Sequence, residues 1–253
     1  MDNWPEGVNR EVFQTLDSTN AEAIRQAGNG ACGPKWFLTL EQTQSRARRG
    51  RPWDSGEGNF SASLLMRPEC GPEQAALRSF IAALALREAL VEVCGREDIF
   101  SLKWPNDVLL NNRKLAGILL ESGFDASGMY LCIGIGVNLA NEPDPSFVEE
   151  GAFAPISLRS VIGSKIEPEE FLTPLAAAFD RWETQFQQYG FTPIRNEWLN
   201  HATRLGEVIT AKLMDRTEVG TFETVDETGA IVLRTSKGLL HLPAAEIFFE
   251  TEG

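Results

Sequence analysis

Lys103-Trp104-Pro105-Asn106-Asp107-Val108-Leu109-Leu110-Asn111-Asn112-Arg113-Lys114-Leu115-Ala116-Gly117-Ile118-Leu119-Leu120-Glu121 reads as strand, turn and returning strand. Ile99 to Trp104 is a first strand candidate and leads to Pro105-Asn106-Asp107; Val108 to Leu110 is a second. Asn111-Asn112 is a good two-residue turn, and Leu115 to Glu121 comes back. Just downstream, Tyr130 to Leu139 alternates: Leu131, Ile133, Ile135 and Val137 share one face. Gly134, Gly136 and Asn138 fall on the other, where a ligand or a second backbone can approach closely.

Working outward, Lys35 to Leu40 and Phe60 to Met66 are two further strands that flank Gln42-Thr43-Gln44-Ser45-Arg46-Ala47-Arg48-Arg49-Gly50-Arg51-Pro52-Trp53. Four arginines within six residues repel one another unless an anion or an acidic surface relieves them. Gly50 and Pro52 mark a loop, and no apolar period suggests a buried helix face. Guanidinium groups on a loop suit a phosphate or carboxylate, which arginine grips with paired hydrogen bonds. A solvated or salt-bridged basic loop is the plainer alternative.

Asp17-Ser18-Thr19-Asn20 starts a helix that runs from Ala21 to Ala27 and stops at Gly28. A long helix is expected from Glu73 to Val93, with Pro72 before it and Gly95 after. A second spans Pro168 to Tyr189, and a shorter one Pro193 to Asn200. After Gly206 come short strands at Val208–Met214, Val219–Val225, Ala230–Thr235 and Gly238–Leu242, spaced as in a small barrel of about 45 residues. The expected boundary lies near Arg204, giving domains 1–204 and 205–253.

The formal net charge of −13 gives no broad basic footprint for nucleic acid. No apolar run reaches the ~20 residues of a membrane span, and the N-terminus lacks a secretory pattern. Cys32, Cys70, Cys94 and Cys132 are scattered, as expected of a reduced cytoplasmic protein.

The segments Asp17–Asn20, the arginine loop through Trp53, Lys103–Asp107, Arg113–Glu121 and Gly134-Ile135-Gly136-Val137-Asn138 together resemble the biotin protein ligase family. Their order and spacing match from about residue 10 to 140, and the last 45 or so residues resemble its C-terminal SH3-like barrel. The resemblance implies an α/β (α+β) fold: a mixed sheet flanked by helices, like class II aminoacyl-tRNA synthetases and biotin ligases, plus the small barrel. It implies that biotin and ATP form biotinoyl-5′-AMP, from which biotin passes to a lysine of a carboxyl carrier protein. The expected acceptor is the carrier of acetyl-CoA carboxylase or a related carboxylase. A lipoate or octanoate ligase and a non-catalytic biotin-binding protein are the alternatives.

By the same resemblance, Lys114 contacts the biotin carboxylate and the reacting phosphate. Arg46, Ala47, Arg48, Arg49 and Arg51 form the loop over the adenylate, with Arg48 among the catalytic groups. Ser18, Thr19, Asn20 and Gln42 bind the ureido ring. Trp53 stacks on adenine, and Trp104 walls the pocket. Asp107 holds or orients Mg²⁺, with Asn106 a polar neighbour. Gly117 and Gly134 permit close packing under biotin, and Asn138 contacts the nucleotide. The family loop usually reads Gly-Arg-Gly-Arg-Arg-Gly, whereas this chain has Ser45 and Ala47 at the first two glycines. The added Cβ atoms restrict the backbone, so the adenylate is expected to be held less tightly. About sixteen residues precede Asp17, too few for a helix-turn-helix domain, so the expectation is a ligase without DNA-binding activity. Family members include monomers and homodimers.

Overall fold

The computed structural model describes residues 3–53, 56–143 and 153–248. A seven-stranded sheet contains β1 (Asn9–Leu16), β2 (Lys35–Gln42), β3 (Phe60–Met66), β4 (Phe100–Lys103), β5 (Asp107–Leu110), β6 (Arg113–Asp125) and β7 (Gly128–Val137). Their order is β1-β2-β3-β7-β6-β5-β4. Only β1 and β2 run parallel, so the sheet is mixed. Asn111 and Asn112 both take left-handed backbone, with φ of 49° and 58°, as the tight turn between β5 and β6 demands.

One sheet face is apolar. Ala62 and Leu64 of β3, Ile133, Ile135 and Val137 of β7, and Ala116 and Ile118 of β6 are buried there. Helices α3 (Arg78–Cys94) and α5 (Pro168–Tyr189) cover this face, backed by α6 (Phe191–Asn200). The helix expected from Glu73 breaks at Leu77: a short α2 (Pro72–Ala76) precedes α3. Within the helical layer, Arg78 of α3 pairs with Glu183 of α5 at 2.6 Å, both buried.

The opposite face is covered only in part. Helix α1 (Thr19–Gly28) lays Ala23 and Ala27 on Phe37, Leu65 and Cys132. Burial pushes the Cys132 thiol above the usual thiol range. Ser18 caps α1 by accepting a hydrogen bond from the Ala21 N–H. Beyond the start of α1 the sheet face opens into a cavity.

A second sheet is antiparallel, ordered β11-β10-β9-β8-β12, from β8 (Val208–Lys212), β9 (Thr217–Val225), β10 (Ile231–Thr235), β11 (Gly238–Leu242) and β12 (Glu246–Phe248). The fold is thus a mixed sheet flanked by helices with a small SH3-like unit after it. No helix among the described residues is long and apolar enough to cross a membrane. Three elements were not expected from the sequence: β1, β12 and the short α4 (Leu158–Ile162).

Candidate functional site

Strand register builds the site floor. Ser63 of β3 lies beside Gly134 of β7, which lies beside Leu119 of β6. One step along, Ser61, Gly136, Gly117 and Asp107 form a second row across four strands. Side chains two apart share a face, so both rows line the face that α1 leaves uncovered.

Lys114 joins this face through a β-bulge. Leu109 pairs with Lys114, whereas Val108 pairs with Ala116, so one residue of β6 is left over. An unbroken register would turn Lys114 toward the apolar face; the extra residue re-aims it at the site. Lys114 Nζ there lies 2.9 Å from Asp107 Oδ1.

The arginine loop closes on itself above the floor. Arg46 and Pro52 form an isolated bridge, and the Ala47 N–H donates to the Arg51 carbonyl at 2.7 Å. Arg48–Gly50 make one 3₁₀ turn, with Gly50 at φ 72°. Ala47 sits at φ −110°, which any residue adopts, and the Ser45 hydroxyl donates to the Trp53 carbonyl. In this conformation neither replaced glycine needs left-handed backbone. Arg48 donates to Asn106 Oδ1 at 3.2 Å, and Asn106 donates to the Ile118 carbonyl at 2.6 Å. Arg46 reaches Glu121 at 3.4 Å. Arg51 pairs at 2.7 Å with Glu246 of β12, which ties the loop to the second sheet. The Arg49 side chain lies outside the described residues.

Trp53 returns from the loop onto the floor. A Cβ on Gly136 would lie 2.7 Å from its indole ring, and one on Gly117 3.4 Å from it. Its indole N–H is buried with no partner among the described residues, as is Asn138 Oδ1. Buried orphan atoms beside a cavity are partners for a ligand or an ordered water. Trp104 is buried, and its indole N–H donates to the Gly229 carbonyl in the turn between β9 and β10 at 3.0 Å.

At the other end of the cavity lies a buried polar cluster. The Thr19 N–H and hydroxyl approach Gln42 Oε1 at 2.8 and 3.2 Å. Asn20 donates to Glu121 Oε2 at 2.7 Å. Gly134 leaves room for this asparagine: a Cβ there would lie 2.3 Å from Asn20 Oδ1.

The cavity measures about 540 Å³, within the range of small-molecule sites. Ser18, Thr19, Asn20, Gln42, Arg46, Ala47, Arg48, Arg51, Trp53, Trp104, Asn106, Asp107, Lys114, Gly117, Gly134 and Asn138 all line it. Gly136, which the sequence placed on the ligand-accessible face, lines it too, as do Lys103, given no role by its motif, and Phe153 and the β12 residues Glu246–Phe248, which sequence reasoning passed over. Burial is the largest influence on Lys103 and pulls its ammonium below the usual lysine range; Lys114 and Arg48 push it the same way. Its Nζ lies 4.5 Å from the centre of the Phe153 ring.

Residues 13–138 match the model of the biotin/lipoate A/B protein ligase family, and 205–250 that of the biotin protein ligase C-terminal domain. The chain is 50% identical to a biotin–[acetyl-CoA-carboxylase] ligase of Paracoccus denitrificans, over 94% of this chain and 99% of that one. It is 30% identical to the bifunctional ligase/repressor BirA of Bacillus subtilis, over 92% of this chain and 71% of that protein. The structure resembles a biotin protein ligase from Aquifex aeolicus solved with biotin and ATP, at TM-score 0.81 and 26% identity, covering 94% and 97% of the two chains.

Proposed function

The chain belongs to the biotin protein ligase branch of the biotin/lipoate A/B protein ligase family, and from that premise we propose how its cavity performs the ligase reaction. The protein is an ATP-dependent biotin ligase that charges a carboxyl carrier protein of acetyl-CoA carboxylase or a related carboxylase. One observation carries the assignment of the site. A single cavity joins a buried polar cluster to a lysine–carboxylate pair and an arginine loop. The cluster suits a cyclic urea, which offers N–H donors and a carbonyl acceptor. A lipoyl dithiolane offers neither donor nor acceptor and would leave the remaining hydrogen-bonding capacity of the cluster unused. Biotin is therefore the better occupant.

Biotin lies with its ureido ring toward Thr19 and Gln42 and its carboxylate toward Lys114. A carboxylate oxygen attacks the α-phosphorus of ATP; the acyl–O–P bond forms, and the bond to pyrophosphate breaks. Lys114, Arg48 and Arg51 hold the oxygens on which charge grows. Trp53 offers its ring to adenine, and Asn138 a free amide oxygen. In the second step an acceptor lysine attacks the acyl carbonyl, the amide forms, and AMP leaves.

Mg²⁺ fits this donor set. No cluster of three metal-binding side chains exists among the described residues, but Mg²⁺ needs only one or two carboxylates beside phosphate oxygens. Asp107 is that carboxylate, and the ion supplies neutralisation of the triphosphate charge. A division into domains 1–204 and 205–253 fits the change of sheet after α6. A cytoplasmic location fits ATP and a carboxylase as substrates.

The test is biotin transfer to an apo carboxyl carrier domain, read by streptavidin blot. Label should require ATP, Mg²⁺ and Lys114. Label that persists in Lys114→Ala would overturn the site assignment, and none from the wild type would overturn the function.

A further inference from the structure

We infer that Ser63, with Glu121 behind it, is a positioning residue that holds the Thr19 hydroxyl as a hydrogen-bond acceptor for the substrate ring N–H. The inference rests on the ureido reading of this pocket and deepens it.

Proton accounting along one chain of contacts leads there. Asn20 Nδ2 lies 2.7 Å from a Glu121 carboxylate oxygen and 3.5 Å from the Leu119 carbonyl. Both are acceptors only, so the NH₂ end of the Asn20 amide must face them. Asn20 Oδ1 is thereby turned to Ser63, whose Oγ lies 2.5 Å away. An amide oxygen cannot donate, so the single Ser63 proton goes to Asn20. Ser63 Oγ also lies 2.8 Å from Thr19 Oγ1. With its own proton committed, Ser63 can only accept there, and the Thr19 proton points back at it. The competing acceptor, Gln42 Oε1, is farther at 3.2 Å and already receives the Thr19 backbone N–H at 2.8 Å.

The Thr19 hydroxyl is left with lone pairs and no proton for the cavity that it lines. It is therefore selective: it accepts an N–H and repels a ring oxygen. Ser63 is fully buried on β3, so no solvent competes for its proton. Arg46, 3.4 Å from the same Glu121 oxygen, helps to hold that carboxylate in place and the chain oriented.

The prediction concerns discrimination rather than affinity alone. The probes are biotin and the two cyclic carbamates in which one or the other ureido N–H is replaced by oxygen. Binding to the full-length protein is measured by calorimetry, for wild type, Ser63→Ala and Ser63→Thr. The wild type should reject one carbamate strongly. In Ser63→Ala the freed Thr19 proton can turn to the ring oxygen, so the biotin-to-carbamate affinity ratio should fall about tenfold. Ser63→Thr keeps the hydroxyl and should keep the ratio. Glu121→Gln, at a partly exposed position, can present either end of its amide, so its ratio should fall by a smaller factor; it serves if Ser63→Ala does not fold. An unchanged ratio in Ser63→Ala, or in Glu121→Gln where that variant stands in for it, would overturn the inference while leaving biotin as the ligand. Failure of the wild type to bind biotin would overturn the underlying reading and this inference with it.

Discussion

Substituting Gly134 by alanine tests the packing of the ureido end. The new Cβ would lie 2.3 Å from Asn20 Oδ1 and 2.9 Å from its Cγ, closer than real Cβ atoms approach. Gly134 sits in the middle of β7, paired on both sides, so its backbone cannot retreat. Asn20 must swing away instead, losing contacts of 2.5 Å from Ser63 and 2.7 Å to the Glu121 carboxylate. A neutral hydrogen bond contributes about 0.5–1.5 kcal/mol and one to a charged group about 1.5–3 kcal/mol. Together these give an expected loss of about 2–4 kcal/mol. Urea unfolding of the four members of a double-mutant cycle measures it: wild type, Gly134→Ala, Asn20→Ala and the double variant. Removing the Asn20 amide makes room for the methyl. The double variant should therefore be more stable than the sum of single effects allows, by at least about 1 kcal/mol. Strict additivity would refute the claim that the glycine exists to admit this asparagine.

Two further outcomes follow from the same geometry, and a third from the departure of the arginine loop from the family glycines. Gly136→Ala would push its Cβ into the Trp53 ring and should raise the KM for ATP about tenfold, with a smaller effect on biotin; equal shifts in both would contradict the placement of Trp53 over the nucleotide. The Arg25 guanidinium, bonded to both Asp17 oxygens at 2.8 Å, lowers the Asp17 carboxyl to about 2. A depressed carboxylate stabilises the fold above its unfolded value near 4 and loses that contribution as pH falls through 2. The stability gap between wild type and Asp17→Asn should therefore be full above about pH 4 and close by about pH 2, as followed by urea unfolding. Ser45→Gly/Ala47→Gly should release the adenylate more slowly than wild type, as stopped-flow measurement would read; equal rates would mean that the two side chains do not hinder loop closure.

Much of this architecture was legible because local chemistry and global fold agree. The helix from Pro168 to Tyr189 and the strands Phe60–Met66 and Gly238–Leu242 end where the sequence suggested, each at a proline, glycine or polar break. β1 was missed because it is an edge strand, mostly exposed on both faces, with Val12 and Phe13 adjacent rather than alternating. β12 spans only Glu246–Phe248, too short for a periodic signal, yet it brings Glu246 to Arg51.

The candidate residues were read from motifs, but the reason they meet was not readable. The bulge that turns Lys114 toward Asp107 depends on pairing between strands. Phe60–Met66 reads as a strand from its apolar residues, and that reading gives Ser63 no role. The signal was there in Ser61-Ala62-Ser63: two hydroxyls at a spacing of two mark one face of a buried strand, where polar groups need partners. Glu121, at the end of a motif, gave no hint of its contact with Asn20.

The measurement that bears most directly on the account is biotin-dependent pyrophosphate release in a single turnover, with no acceptor present, for wild type and Lys114→Ala. The account predicts a burst of about one pyrophosphate per wild-type chain, slowed by about 10²–10³ in the variant, as expected for loss of a charge aimed at the reacting phosphate. Biotin binding without pyrophosphate from the wild type would contradict it and leave a protein that only sequesters biotin.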